Sequence, residues 1–377
     1  GEREMSAVHA ANRPFLVEAG VLACVLTSAL GCSSPRSRKS VGFEVVQTRF
    51  LGSMWNQGHA AASIVSQDGG FSYAVPGGSL WWFGDTLRGT RDEEGKPHFA
   101  GGAVSASVGL RSQTDDHVPP VLHYLTGADG RVAQAIGFLA GETWEHHRLW
   151  PLGGIYANGK SYIYYSRIEI GTGVSDFKSD GSGLACASAP LSPHQRITTA
   201  DGWRFPVAPM CVVPDGDWLY LYEIDTRNER QGVWLSRVRA DQIEDPGKYE
   251  FQCGSGERFC TKKARQRLLL KSVPGQVSVA WNEYLHKYVL VSASDIFRPR
   301  EIRFHVADRL YGPWSPPVAT ITVPEERQGK TVRLVYCAYL HPELFRENGR
   351  IMNLTFSMRL RNAAFDSNCE TVEVEIQ

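Results

Sequence analysis

Five stretches of the chain repeat one pattern: a short strand, a tight turn, then a strand rich in aromatic and β-branched residues. They are FSYAV-PGG-SLWWFGD, GGIY-ANGK-SYIYYSR, CVV-PDGD-WLYLYEID, VSVAWN-EYLH-KYVLVSAS and ELFR-ENGR-IMNLTFS. Asn-Gly and Asp-Gly at the turns are hairpin signals, because glycine accepts the positive φ of a tight turn. Several hairpins are followed by another strand, as in LACASAPL, GVWLSRVRA and EIRFHVADRL. A unit of three or four strands recurring every ~60–80 residues is the requirement for a propeller blade. Helical periodicity is scarce, and RADQIED reads as a single turn at most. The chain is therefore expected to be all-β, a five-bladed β-propeller. One terminal strand, FEVVQTRF or TVEVEI, is expected to complete a blade begun at the other end of the chain. A two-sheet sandwich is the alternative, but it has no reason to repeat a whole four-strand unit.

Composition narrows the partners. The 377 residues carry 40 basic and 40 acidic side chains. Nucleic-acid binders show a basic excess, so none is expected here. Residues 15–30 form an apolar run, too short for a membrane span of ~20 residues. It leads through GC into SSPRSRKS, an order that resembles a bacterial lipoprotein signal with Cys32 as the acylated residue. Residues 1–32 are thus read as an export segment, 33–42 as a tether and 43–377 as one domain. The expected protein is exported and held to a membrane only through a lipid anchor, as a monomer. An apolar N-terminal helix of a cytosolic protein is the other reading. Six cysteines remain in the body. In an exported chain Cys253 and Cys260 are placed to close a small disulfide loop; six free thiols are the alternative.

The first hairpin holds two acids. A turn centred on Pro76-Gly77 pairs residues whose numbers sum to 153, which sets Asp68 opposite Asp85. Directly opposed residues have Cβ atoms ~4.5–5.5 Å apart, and like charges there are destabilising. Retaining glycosidases use two carboxyl groups ~5–5.5 Å apart. A bulge at Gly69-Gly70 would shift this register. Alternatively, Asp68 is a turn aspartate bonded to its own backbone and Asp85 a loop cap. Glu223, Asp225, Glu283 and Glu343 are further acids at strand ends and turns. His59, Trp150 and His341 fall where inner strands reach a channel mouth, and Trp81, Trp82 and Trp281 offer flat faces for sugar rings. No metal site is expected: His146 and His147 point to opposite faces of a strand. Nucleotide, dinucleotide and zinc-protease fingerprints are missing from the sequence, so no cofactor is expected.

DGGFSYAVPGGSLWWFGDTL resembles the opening of a bacterial domain family, formerly of unknown function, that includes secreted endo-D-arabinanases. LWPLGGIYANGKSYIYY, SVAWNEYLHKYVLV, GPWSPP and LHPELFRENGRIMNLTFS extend the resemblance over roughly residues 50–360. The resemblance implies a five-bladed propeller glycoside hydrolase acting on a furanose-containing polysaccharide, with Asp68 and Asp85 as its catalytic pair. Asp85 is then expected as nucleophile and Asp68 as acid/base, with His59, Trp81, Trp150 and His341 binding substrate. The other class of function is a carbohydrate-binding or envelope scaffold propeller without catalysis.

Overall fold

The computed structural model describes residues 42–172, 176–225, 231–273, 275–293, 298–327, 329–360 and 368–377. The expected export segment with Cys32, and the expected tether up to residue 41, lie outside the described residues. No helix among the described residues is long and apolar enough to cross a membrane.

The described chain is all-β, in six sheets, none of which closes on itself. Five are antiparallel meanders, and the first four open with one of the predicted hairpins. The first runs Gly69–Val75, Gly78–Phe83, Ser107–Ser112 and His123–Tyr124. The second runs His147–Ala157, Lys160–Ile170, Phe177–Ala187 and Gln195–Arg196. The third opens with Cys211–Asp215 and Trp218–Asp225, the fourth with Val277–Asn282 and Lys287–Ser292. The fifth pairs Lys330–Leu340 with Ile351–Leu360 and Asn368–Ile376, and Val45–Ser53 then adds to its edge, antiparallel to the C-terminal strand. The two ends of the chain thus share one sheet, as the terminal strands suggest.

Packing follows a cycle. The opening strands touch in order: first sheet to second, second to third, third to fourth, fourth to fifth, and Lys330–Leu340 back to Gly69–Val75. The core is distributed accordingly. Phe71, Tyr73 and Trp82 pack against Ile163 and Tyr165 between the first and second sheets. Tyr164 and Leu184 face Leu219 and Leu221 between the second and third, and Val289 and Phe304 face Leu354 and Phe356 between the fourth and fifth. A sheet covered on both sides needs apolar residues at consecutive positions rather than alternating ones. Trp81-Trp82 shows this: neighbours on a strand point to opposite faces, and both rings are fully buried, in different clusters. Each fully buried large apolar side chain contributes roughly 1.5–3 kcal/mol.

Two features depart from the sequence reading. A sixth, three-stranded sheet of Ile64–Ser66, Thr86–Arg91 and Pro97–Val104 flanks the first; its glycine-broken, polar strands carry no hairpin signal. In the fifth hairpin the expected strand at 343–346 is instead a 3-10 turn, Pro342–Leu344. Proline lacks the N–H that a ladder needs and suits the first helical position. All six body cysteines are free thiols, Cys253 and Cys260 included.

A buried polar chain stitches the first two sheets. Trp82 Nε1 donates to Tyr73 Oη at 3.1 Å, Tyr73 Oη lies 2.9 Å from Ser161 Oγ, and Ser161 Oγ lies 2.8 Å from His194 Nε2. His194 Nδ1 donates to Ser192 O at 2.9 Å. Burial pulls the His194 pKa down to about 4, so the ring is neutral, with its proton on Nδ1 and Nε2 accepting. Every member is then satisfied. Ser161→Ala leaves Tyr73 Oη and His194 Nε2 without their shared partner and is expected to cost ~1–3 kcal/mol. Urea unfolding reads this directly; a midpoint equal to wild type would show that the chain does not hold the seam.

Candidate active site

The first hairpin follows the expected register from Val75↔Gly78 to Phe71↔Trp82 and then shifts, pairing Gly69 with Phe83. Gly70 is the extra residue. Gly69 and Gly70 have φ of +93° and +91°, a region that disfavours any residue with a Cβ. The bulge is held by the fifth sheet: Gly69 N donates to Ser357 Oγ at 3.0 Å, and Thr355 Oγ1 donates to Gly70 O at 3.1 Å. Asp68 consequently pairs through its backbone with Gly84, whose N–H donates to Asp68 O at 2.8 Å. It does not stand directly across from Asp85, which corrects the register expected from the turn.

The two carboxyl groups still sense each other. Asp85 takes the Trp150 indole N–H on Oδ1 at 2.9 Å, and Arg148 Nε stands 3.7 Å from the same oxygen. Burial first, and then the charge of Asp68, push the Asp85 pKa up to about 7 against these two partners. Its side chain remains 39% exposed, so solvent and solutes reach it. Asp68 accepts from Tyr336 Oη at 3.0 Å on Oδ2. Burial raises its pKa too, opposed by the Tyr336 hydrogen bond and the Arg359 charge. The charge of Asp68 adds to burial in raising Asp85, which therefore holds a proton well above the usual carboxylate range. A carboxyl raised in this way keeps a proton available for acid catalysis near neutral pH.

The partners of the pair come from two other sheets, the second and the fifth. Tyr336 lies where the pairing of Lys330–Leu340 is interrupted, between Tyr336 and Tyr339. The next residue, Cys337, has a φ of +52°, a strained conformation for a residue with a Cβ. Arg148 Cζ lies over the Trp144 ring, 3.4 Å from its centroid, and the guanidinium donates to His147 O at 2.9 Å and to Trp144 O. Gly84 is needed for space: a Cβ there would come within 2.8 Å of Asp68 Oδ1.

Of the expected substrate contacts, only Trp150 reaches the pair. His59 is buried on the short helix Gln57–Ala61, where it closes the capping box with Asn56. Its Nε2 lies 3.0 Å from the Gln67 amide and 3.0 Å from Tyr124 Oη, so it supports the segment before Asp68 rather than a ligand. Trp81 is fully buried and stacks on His341 at 4.0 Å. His341 is equally buried, with Ser72 Oγ 2.6 Å from Nδ1 and Thr355 Oγ1 2.7 Å from Nε2. Burial lowers both histidine pKa values to about 3. These three side chains are corrected to interior supports: apolar and hydrogen-bonded cover on every side leaves no face for a sugar. Through Thr355, His341 braces the glycine bulge.

The other acids are placed elsewhere. Glu223 is buried and accepts from Ala208 N at 2.9 Å and Ser236 Oγ at 3.0 Å. Glu283 is exposed and holds the Trp281 indole at 2.6 Å. Glu343 lies 2.5 Å from Ser72 Oγ, and burial raises its pKa. The side chain of Asp225 lies outside the described residues. Among the described residues one group has metal-type ligand spacing, Asp115, Asp116 and His117. Asp115 there accepts the backbone N–H groups of His117 and Val121 at 3.1 and 2.9 Å, as a loop-closing aspartate does. Tyr336 and Arg148 are site residues beyond those expected from the sequence. For Arg148 a signal existed: two positions from Trp150 on one strand, it shares that residue's face. Tyr336 carried none, because its partner lies 268 residues away.

Comparison with solved structures places the fold among known ones. A Bacteroides ovatus protein described as a "putative hydrolase" is 16% identical, with a TM-score of 0.60 over 83% of this chain and 87% of that one. A family 117 glycoside hydrolase of the marine bacterium Zobellia galactanivorans is 11% identical, with a TM-score of 0.49 over 87% and 90% of the two chains. At such identities the likeness to the first concerns the fold alone. Among curated proteins there is no match. The model of one domain family, described as a domain of unknown function, DUF4185, matches residues 51–361. That stretch takes in the glycine bulge, the acid pair and all five hairpins, and the chain belongs to the DUF4185 family.

Proposed function

We propose that this protein is a glycoside hydrolase that cleaves a furanose-containing, arabinan-like polysaccharide, with Asp68 and Asp85 as its acid pair. The observation that carries the reading is a solvent-reachable carboxyl, raised to a pKa of about 7, beside a second, buried carboxyl whose charge helps to raise it. In this reading Asp85 is the acid/base, protonating the leaving oxygen, and Asp68 is the nucleophile, a retaining arrangement. This reverses the order expected from the sequence, because Trp150 and Arg148 do not offset burial and the Asp68 charge at Asp85. The five meander sheets are read as the blades of a five-bladed propeller. Their cyclic contacts support this, with the small sixth sheet as an addition to the first blade.

Asp68→Asn and Asp85→Asn are each expected to lower kcat by roughly 10²–10⁴. Release of reducing ends from soluble arabinan measures it. Both folds should persist, because each carboxyl has a raised pKa and its charged form is the less favoured one in the folded state. The sign is checked by pH: a carboxyl with a raised folded pKa stabilises most below its unfolded value and loses that contribution as pH rises towards its folded value. Wild type should therefore lose stability relative to Asp85→Asn between about 4 and about 7. Activity needs Asp85 protonated, so kcat/KM should fall above pH about 7. In Asp68→Asn the Asp85 carboxyl, followed by carbon-13 NMR, should titrate lower. An unshifted Asp85, or a rate flat through pH 9, would exclude these roles.

Gly84→Ala tests the geometry. The added methyl displaces the Asp68 carboxyl, the end of a short side chain, while the backbone stays. A misplacement of this size is expected to cost on the order of 10²-fold in kcat/KM, with the melting temperature near wild type. Full activity in this variant would remove Asp68 from the reaction.

The protein is further read as exported and lipid-anchored through Cys32, on the apolar run and the Gly-Cys junction that precede the tether. Cys32→Ser is then expected to move it from the membrane fraction to the soluble one. Unchanged partition would leave the anchor without support.

A further inference from the structure

We infer that Phe177, with Trp150 and the hydroxyl pair Ser166–Ser179, forms a sugar subsite beside the acid pair, for the unit adjoining the one under attack. The inference rests on the glycoside-hydrolase reading above. Six large hydrophobic side chains are exposed among the described residues, and Phe177 is one of them, at 49%. Its ring meets Trp150 edge to face, with centroids 5.2 Å apart and planes at 70°. The Trp150 indole N–H is bound to Asp85, which fixes the orientation of its ring. Phe177 therefore stands one aromatic ring beyond the acid, open to solvent, on a wall that begins at the reacting group.

The polar half of the subsite lies on the same face. Ser166 pairs directly with Trp150 across the strands His147–Ala157 and Lys160–Ile170, and directly opposed residues share a face. Ser166 Oγ lies 2.9 Å from Ser179 Oγ. Ser179 is two positions from Phe177 on the next strand, so their side chains lie on one face. Ser166 is half-buried and Ser179 exposed. A sugar ring offers an apolar C–H face and a rim of hydroxyls, and an aromatic corner beside two hydroxyls matches both. Ligand sites combine apolar walls with a few placed polar groups in this way.

Kinetics on soluble linear arabinan test the subsite. Phe177→Ala removes an exposed ring, so the fold should be unaffected. KM is expected to rise about tenfold, which corresponds to ~1.4 kcal/mol. kcat should change by less than about twofold, the signature of lost uniform binding. Phe177→Tyr should restore KM, because the ring is retained. On 4-nitrophenyl arabinofuranoside, which lacks the neighbouring sugar, the rise in KM should be smaller. An Ala variant with wild-type KM on arabinan, in an enzyme that hydrolyses it, overturns the subsite alone. Wild-type protein that releases no reducing ends from arabinan, arabinogalactan or galactan overturns the hydrolase reading and this inference with it.

Discussion

A small antiparallel sheet with apolar side chains on both faces cannot stand alone in water. Each of the five meanders here is of that kind: Trp81 and Trp82, or Tyr164 and Tyr165, send neighbouring rings to opposite sides, and all four are buried. The free energy of covering the second face is available only when another sheet packs there. Five such sheets, each needing two neighbours, satisfy one another by contact in a cycle, and pairing of the N-terminal strand with the C-terminal one ties the ends into the last of them. The site depends on this closure, because Tyr336, Ser357 and Thr355 reach the first hairpin from the fifth sheet.

The seams carry polar stitching as well as apolar packing. The Trp82–Tyr73–Ser161–His194 chain and the Ser72–His341–Thr355 chain both run inside, and both histidines are held neutral by burial. Unpaired groups in such places cost more than paired ones gain, so these chains specify how neighbouring sheets meet. The second chain ends on the carbonyl of Gly70, the residue that breaks the hairpin register. A histidine that looks from the sequence like a ligand for sugar thus acts as a brace for the bulge that positions Asp68.

Much of this was legible beforehand. Four of the five hairpins, the second strand of the fifth, the pairing of the terminal strands and the two acids flanking Pro76-Gly77 follow from turn chemistry and strand periodicity, which are local. Gly69-Gly70 was visible as a possible bulge, since two adjacent glycines permit the conformation without requiring it. The occupants of the site were less legible. His59, Trp81 and His341 have residue types that suit a sugar site, but residue type does not report burial. Arg148 and Phe177 lie near Asp85 only because the second sheet packs beside the first.

The all-β class, the recurring unit and the two acids at one end of the first hairpin are written in the order of the residues alone, because backbone turns and alternating side chains are properties of neighbouring residues. What surrounds each acid, and so the raised pKa of Asp85, came from the tertiary structure. It depends on how deeply each carboxyl is buried and on an indole, a guanidinium and a phenol delivered from other sheets, and no local rule of sequence places those groups against a carboxyl 65 or 268 residues away.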